Sequence, residues 1–339
     1  MKHVLFIATG GTIASVKNES GSLSPSLYGL DLLKAVPEIS QLAQCEVQQV
    51  MNIDSTNMQP KNWLEIAATI EKNYDNFDAF IILHGTDTLA YTAAALSYLI
   101  QNSAKPIVLT GAQLPINAPF TDAKLNLYQS VLYALDERAS HVSVVFGGKV
   151  IAGTRAHKQK SQSADAFSSV NFPLLAHIRY DRILYSAAPG SLFKGWAQKP
   201  SSQPTFFHEL ADDVAVIKLT PGLPAKILDA LMPTTSSLVL ECFGVGGVPT
   251  LANAWSDALN DWINSGRSLA LTTQVSEEGL DLGVYEVGNS YKDNPLIIDG
   301  LDMSTEALVA KLMWTRGLTT DICEIRELCH SPINFDRFA

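Results

Sequence analysis

With 339 residues, 47% hydrophobic and 17% charged, the chain exceeds the about 250–300 residues at which one core stops growing, so two domains are expected. Lys and Arg number 24 against 34 Asp and Glu; the net charge of −10 repels phosphate backbones and argues against a nucleic-acid partner. The most apolar stretch, residues 89–100, is too short and too interrupted to span a bilayer, so no membrane partner is expected.

In chain order, residues 4–8 form an apolar, β-branched run that passes straight into Gly10-Gly11. A secretory h-region needs roughly 7–15 apolar residues and a small-residue cleavage site, so this run reads as a first strand and the protein as cytoplasmic. Residues 63–74 have helical spacing, with Trp63, Ile66, Ala67, Ile70 and Tyr74 on one face. Ala79–Leu83 is a continuous apolar run suited to a strand buried on both faces. Helical patterns follow over 88–100 and 122–135, with strands at Ile107–Thr110 and Val142–Phe146. Residues 186–211, with their turn formers and lack of period, read as a linker between domains 1–185 and 212–339. Beyond it, strands are expected at 214–219, 237–241 and 269–273, and helices at 225–232, 251–265 and from Thr305 onward. Such alternation predicts parallel sheets covered by helices. Cys45, Cys242, Cys323 and Cys329 have no metal or disulfide spacing, which fits reduced thiols; Cys323 and Cys329 fall on one C-terminal helix.

Ligands of open parallel sheets sit beyond the carboxyl ends of strands, which points to the loops after Ala8, Met51, Leu83 and Phe146. The first holds Gly10-Gly11-Thr12, where paired glycines admit close backbone approach to a ligand. A tight turn with a buried threonine is the alternative; a dinucleotide fingerprint lacks its third glycine here. The second loop offers Asp54 and Ser55, able to clasp the charged end groups of an amino acid, whereas Thr56 or Asn57 could cap a helix starting near Pro60. The third, His84-Gly85-Thr86-Asp87-Thr88, opens a helix, so Thr86 and Asp87 stand where the dipole favours a developing oxyanion. Asp87 as a plain N-cap is the alternative, and His84 reads as structural. The fourth region brings Lys158, a base toward a threonine hydroxyl if desolvated near Asp87, or else a solvated surface lysine. No metal is expected, because metal-ligand spacings of His, Cys and carboxylates are missing from the sequence.

Segments 8–13, 54–58 and 84–88 together resemble the bacterial-type L-asparaginases, and more closely their cytoplasmic, type I branch. Further similarity lies at 109–113, 153–158, 165–167 and 244–246. The resemblance implies a larger N-terminal parallel-sheet domain with helices on both faces, plus a smaller C-terminal α/β domain. It implies a homodimer or homotetramer, no cofactor, and L-asparagine as substrate. L-Glutamine differs by one methylene, worth only about 1–3 kcal/mol of discrimination. By position, Thr12 matches the primary catalytic threonine, and Thr86, Asp87 and Lys158 the second threonine with its aspartate and lysine partners. Asp54, Ser55 and Asp87, with Thr86 beside them, match the groups that hold the substrate. Two features depart from the family. The loop over 15–25 lacks the tyrosine that activates the first threonine in many relatives, leaving Tyr28 or a residue from elsewhere for that task. Gly247 stands where relatives often place an asparagine. Two other readings compete: an amino-acid sensor without turnover, favoured by the missing tyrosine, and the amidase subunit of a tRNA-dependent amidotransferase. That subunit usually carries an extra N-terminal domain, which a first strand at residue 3 argues against.

Overall fold

The computed structural model describes residues 1–17, 23–25, 29–186, 200, 203–250, 254–284, 291–292 and 294–338. Tyr28 and most of the expected linker, 187–199 and 201–202, lie outside the described residues. The chain separates into two compact units, Met1–His208 and Glu209–Ala339.

The larger unit begins with β1 (His3–Gly10), a hairpin of β2 (Ser15–Lys17) and β3 (Leu23–Pro25), α1 (Gly29–Lys34), α2 (Ile39–Leu42) and β4 (Gln44–Ile53). Next come α3 (Pro60–Asn73), β5 (Ala79–Leu83), α4 (Leu89–Leu99), β6 (Ile100–Gln101), β7 (Ile107–Thr110), α5 (Ala123–Ala134) and β8 (Val142–Phe146). The remainder is short strands: β9 (Lys149–Ala152), β10 (Ala156–Lys158), β11 (Phe167–Ser169), β12 (Ala176–Arg179), β13 (Arg182–Tyr185) and β14 (Thr205–Phe206). Eight strands form one sheet in the order β13-β12-β9-β8-β7-β5-β1-β4. From β4 to β8 all pairings are parallel. Every residue of β5, β7 and β8 is buried, as a sheet covered on both faces requires. The long apolar stretch is α4, enclosed from Leu89 to Leu99 apart from half-buried Tyr91, and among the described residues no helix is long and apolar enough to cross a membrane.

The sheet is not parallel throughout: β9, β12 and β13 pair antiparallel. The cause is local. Only Gly147 and Gly148 separate β8 from β9, both with positive φ (57° and 75°), as a two-residue hairpin demands. A parallel crossover needs a dozen residues or more.

The smaller unit contains β15 (Val214–Lys218), α6 (Ile227–Leu231), β16 (Ser237–Cys242), α7 (Ala254–Asn264), β17 (Ser268–Thr273), β18 (Ile297–Asp299), α8 (Thr305–Leu318) and α9 (Ile322–His330). Its four strands are parallel, in the order β15-β16-β17-β18. Trp255, Leu259 and Trp262 of α7 join Leu238, Leu240, Leu269 and Leu271 in one core. The cysteines are all free, and Cys323 and Cys329 both lie on α9.

Candidate active site

Glycines set how closely the loops at the carboxyl ends of β1, β4 and β5 can meet. Gly11, at φ 82°, lies so near the third loop that a Cβ on it would fall 2.3 Å from the Gly85 Cα. A Cβ on Gly85 would fall 2.6 Å from the Ser55 Oγ, and one on Gly10 2.5 Å from the Ile53 carbonyl oxygen. Any side chain at these positions would push the loops apart. Hydrogen bonds add to the contact. The Thr9 hydroxyl donates to the Leu83 carbonyl at 2.8 Å, the Gly11 N–H to Ile53 at 3.0 Å, and the Thr88 hydroxyl to Ser55 at 2.8 Å. Thr12 and Thr86, each one residue beyond the Gly11–Gly85 contact, are thus carried on touching loops; Thr12 is half-buried and Thr86 buried.

Thr86 lies at the centre of a polar network. Its Oγ1 accepts from Lys158 Nζ at 2.8 Å and donates to Gln113 Oε1 at 3.0 Å. The same Nζ forms an ion pair with Asp87 Oδ1 at 2.5 Å. The Lys158 side chain is only 17% exposed, against 55% for Asp87, so the ammonium is enclosed while the carboxylate stays open to a ligand. Asp87 does not cap α4: the cap position is Thr88, whose hydroxyl goes to Ser55 instead. Nor do Thr56 or Asn57 cap α3. That position is Gln59, whose N–H donates to Asn62 Oδ1 at 3.0 Å. Asp54 precedes a 3-10 turn, Ser55–Asn57, and its Oδ1 accepts from the Thr56 N–H and hydroxyl at 2.9 and 2.8 Å. Asp54 is exposed and Ser55 is buried against Gly85.

His84 is structural in geometry as well as in sequence. It is fully buried, and burial pushes its pKa down to about 4. The Gly85 carbonyl can only accept, so the neutral ring carries its proton on Nδ1 and donates it there at 2.7 Å. Nε2 accepts from the Thr92 hydroxyl at 2.8 Å, whose oxygen accepts from Trp63 Nε1 at 2.9 Å. A neutral imidazole of one tautomer thereby holds the peptide just before Thr86.

Lys158 does not reach the site from the loop after β8, as the strand-end rule suggests, because that loop is the two-glycine hairpin. The chain runs back along β9, turns at Gly153, where a Cβ would fall 2.7 Å from the Ser97 Oγ of α4, and returns through β10. The loop after β7 contributes what strand-end reasoning passed over. Gly111 lies under the His84 carbonyl, 2.3 Å from where its Cβ would be, and two residues later Gln113 meets Thr86. Asp122, just before α5, accepts from the Gln113 and Leu114 N–H groups. Asn126 on α5 donates to the Gly111 carbonyl at 3.0 Å. A glutamine two residues past a glycine at a parallel strand's end was the available signal.

Residues 3–190 match the asparaginase N-terminal domain, and residues 213–328 match the glutaminase/asparaginase C-terminal domain. The L-asparaginase of Thermococcus kodakarensis is 37% identical over 331 residues, covering 97% of both chains. This chain belongs to the asparaginase family. The asparaginase fold is matched along its length by the solved T. kodakarensis structure, with a TM-score of 0.91, 35% identity, and 99% of each chain covered. L-Asparaginase I of Vibrio cholerae matches at a TM-score of 0.85 and 26% identity, covering 100% of this asparaginase and 99% of that chain. A Glutamyl-tRNA(Gln) amidotransferase subunit of Pyrococcus abyssi is 32% identical over 337 residues, which cover 97% of this chain and 75% of that protein.

Proposed function

We propose that this asparaginase hydrolyses L-asparagine to L-aspartate and ammonia through an acyl-enzyme on a threonine. The observation that carries the reading is the single lysine, Lys158, bonded at once to the Thr86 hydroxyl and the Asp87 carboxylate, beside the loop that bears Thr12. Asp54, Ser55 and Asp87 clasp the α-amine and α-carboxylate of the substrate. Thr12 attacks the side-chain carbonyl; the C–N bond breaks and the nitrogen leaves as ammonia after gaining a proton. Water then adds to the ester, releasing aspartate and restoring the hydroxyl. Thr86 and Lys158 relay protons in this scheme. A positioned general base supplies about 10²–10⁴-fold, which a threonine needs as a weak nucleophile near neutral pH.

The chain acts in the cytoplasm in this reading, in keeping with its free cysteines, and assembles as a homodimer or homotetramer. A coupled ammonia assay on the purified protein with L-asparagine and L-glutamine tests the activity. Saturable release from asparagine, with matching aspartate, is expected. Release only in the presence of a copurifying protein would favour a role within an amidotransferase instead, the reading that the likeness to the P. abyssi protein supports. Binding of asparagine without ammonia would favour a sensor.

A further inference from the structure

Gln113 is held at both ends. Its N–H donates to the two Asp122 oxygens at 3.1 and 2.9 Å, and the neighbouring Leu114 N–H donates to Oδ1 at 3.1 Å. At the tip, Nε2 donates to the carbonyls of Lys160 and Ser163, each at 3.3 Å. The loop bearing these carbonyls is anchored in turn, because the Asp165 carboxylate bridges Lys149 and Lys160. These partners fix the amide's orientation. Backbone carbonyls can only accept, so the NH2 group faces them and Oε1 faces Thr86. Oε1 cannot donate either, so Thr86 gives its hydroxyl proton to Gln113, 3.0 Å away, and turns a lone pair to Lys158 at 2.8 Å.

We propose that Gln113 is a positioning residue for Thr86, fixing the direction of its hydroxyl and tying it to the loop of residues 159–165. The proposal rests on the amidohydrolase reading of the site. In the resting site Lys158 is a donor to Thr86. The Thr86 hydroxyl must turn away from Gln113 before its proton can pass to the lysine or to the departing nitrogen. Gln113 therefore sets the starting geometry of the relay without touching the reacting carbon.

The test measures kcat and KM for asparagine, with thermal melts, on the full chain and on Gln113→Leu and Gln113→Glu. For Gln113→Leu, kcat falls at least about tenfold while KM stays within about twofold, because the lost interaction acts through Thr86. Gln113→Glu separates positioning from plain support. A protonated carboxyl offers a carbonyl acceptor for Thr86 and one O–H donor, enough for one of the two carbonyls that the amide reaches, whereas a carboxylate has no donor for either Lys160 or Ser163. The ratio of its kcat to the parent's should rise at least about threefold as pH falls from about 8 to about 5, toward the carboxyl range. A parent-like kcat in a folded Gln113→Leu protein overturns the proposal, as does a pH-independent ratio for Gln113→Glu; if the leucine variant fails to fold, the glutamate variant decides. A parent that releases no ammonia from asparagine overturns the underlying reading and this proposal with it. An active parent with unaffected variants overturns this proposal alone.

Discussion

At Lys158 an ammonium with 17% of its side chain exposed faces a hydroxyl and a carboxylate together. Replacing it by methionine keeps the length of the side chain and removes the proton carrier. Lys158→Met should lower kcat at least about tenfold through Thr86, and should also raise KM because the same Nζ pairs with Asp87, one of the groups that clasp the substrate. A parent-like kcat in steady-state assays would remove Lys158 from the proton relay and leave it a structural partner of Thr86 and Asp87. His84 supports a prediction on stability. Its pKa in the fold, about 4, lies below the ordinary value of 6.5. The folded state therefore resists a proton that the unfolded chain accepts. Its contribution is fully present above pH 6.5 and drains away as pH falls toward about 4. The loss should approach about 3 kcal/mol, at about 1.4 kcal/mol per pKa unit. Urea unfolding at steps across this range should show the decline, and a folded His84→Gln protein should show a shallower one.

Among the elements, the strand-end loops determine what the site contains, and glycine contacts determine how near they come. Gly85→Ala would place a methyl 2.6 Å from the Ser55 Oγ and 2.7 Å from its Cβ, a contact that no side-chain rotation relieves. Overpacking of this kind costs about 1–3 kcal/mol and splays the loops. Both Tm and kcat/KM should drop, and a Tm equal to the parent's would mean the loops are not pressed together there. The same elements explain what could be read from the sequence. Continuous apolar runs gave β5, β7 and β8 their places, and helical spacing gave α3, α4 and α5 theirs, within a few residues. The polar loops after β1, β4 and β5 followed from that order. The short strands did not: β10 and β11 are three residues each, too brief for a period to show, so the return path that delivers Lys158 stayed hidden. The antiparallel edge was readable in Phe146-Gly147-Gly148-Lys149, a two-glycine hairpin signal. Gln113 falls within the family-like segment 109–113, but its role was not legible there, because its bond to Thr86 joins residues 27 apart in sequence.

On the scale of the whole molecule, the chain divides into two units, and the smaller one has a core of its own and carries a buried ion pair. Lys311 on α8 and Asp336 are both fully enclosed and 2.6 Å apart, and Lys311 Nζ also donates to the Ser331 carbonyl at 2.6 Å. The pair fastens the last residues of the chain to α8. Removing one partner of such a pair leaves a buried charge and costs about 3–5 kcal/mol, so Lys311→Met should unfold at distinctly lower denaturant and lose amide protection over residues 331–338. An unchanged midpoint would show that the charge finds water. In the larger unit, two threonines from the ends of β1 and β5 serve one amide under the proposed mechanism. Ammonia release from asparagine by folded Thr12→Ala and Thr86→Ala proteins tests this most directly. Each should fall at least about 10²-fold below the parent, the scale expected when a nucleophile or its proton relay is removed. Parent-rate turnover in either variant would contradict it.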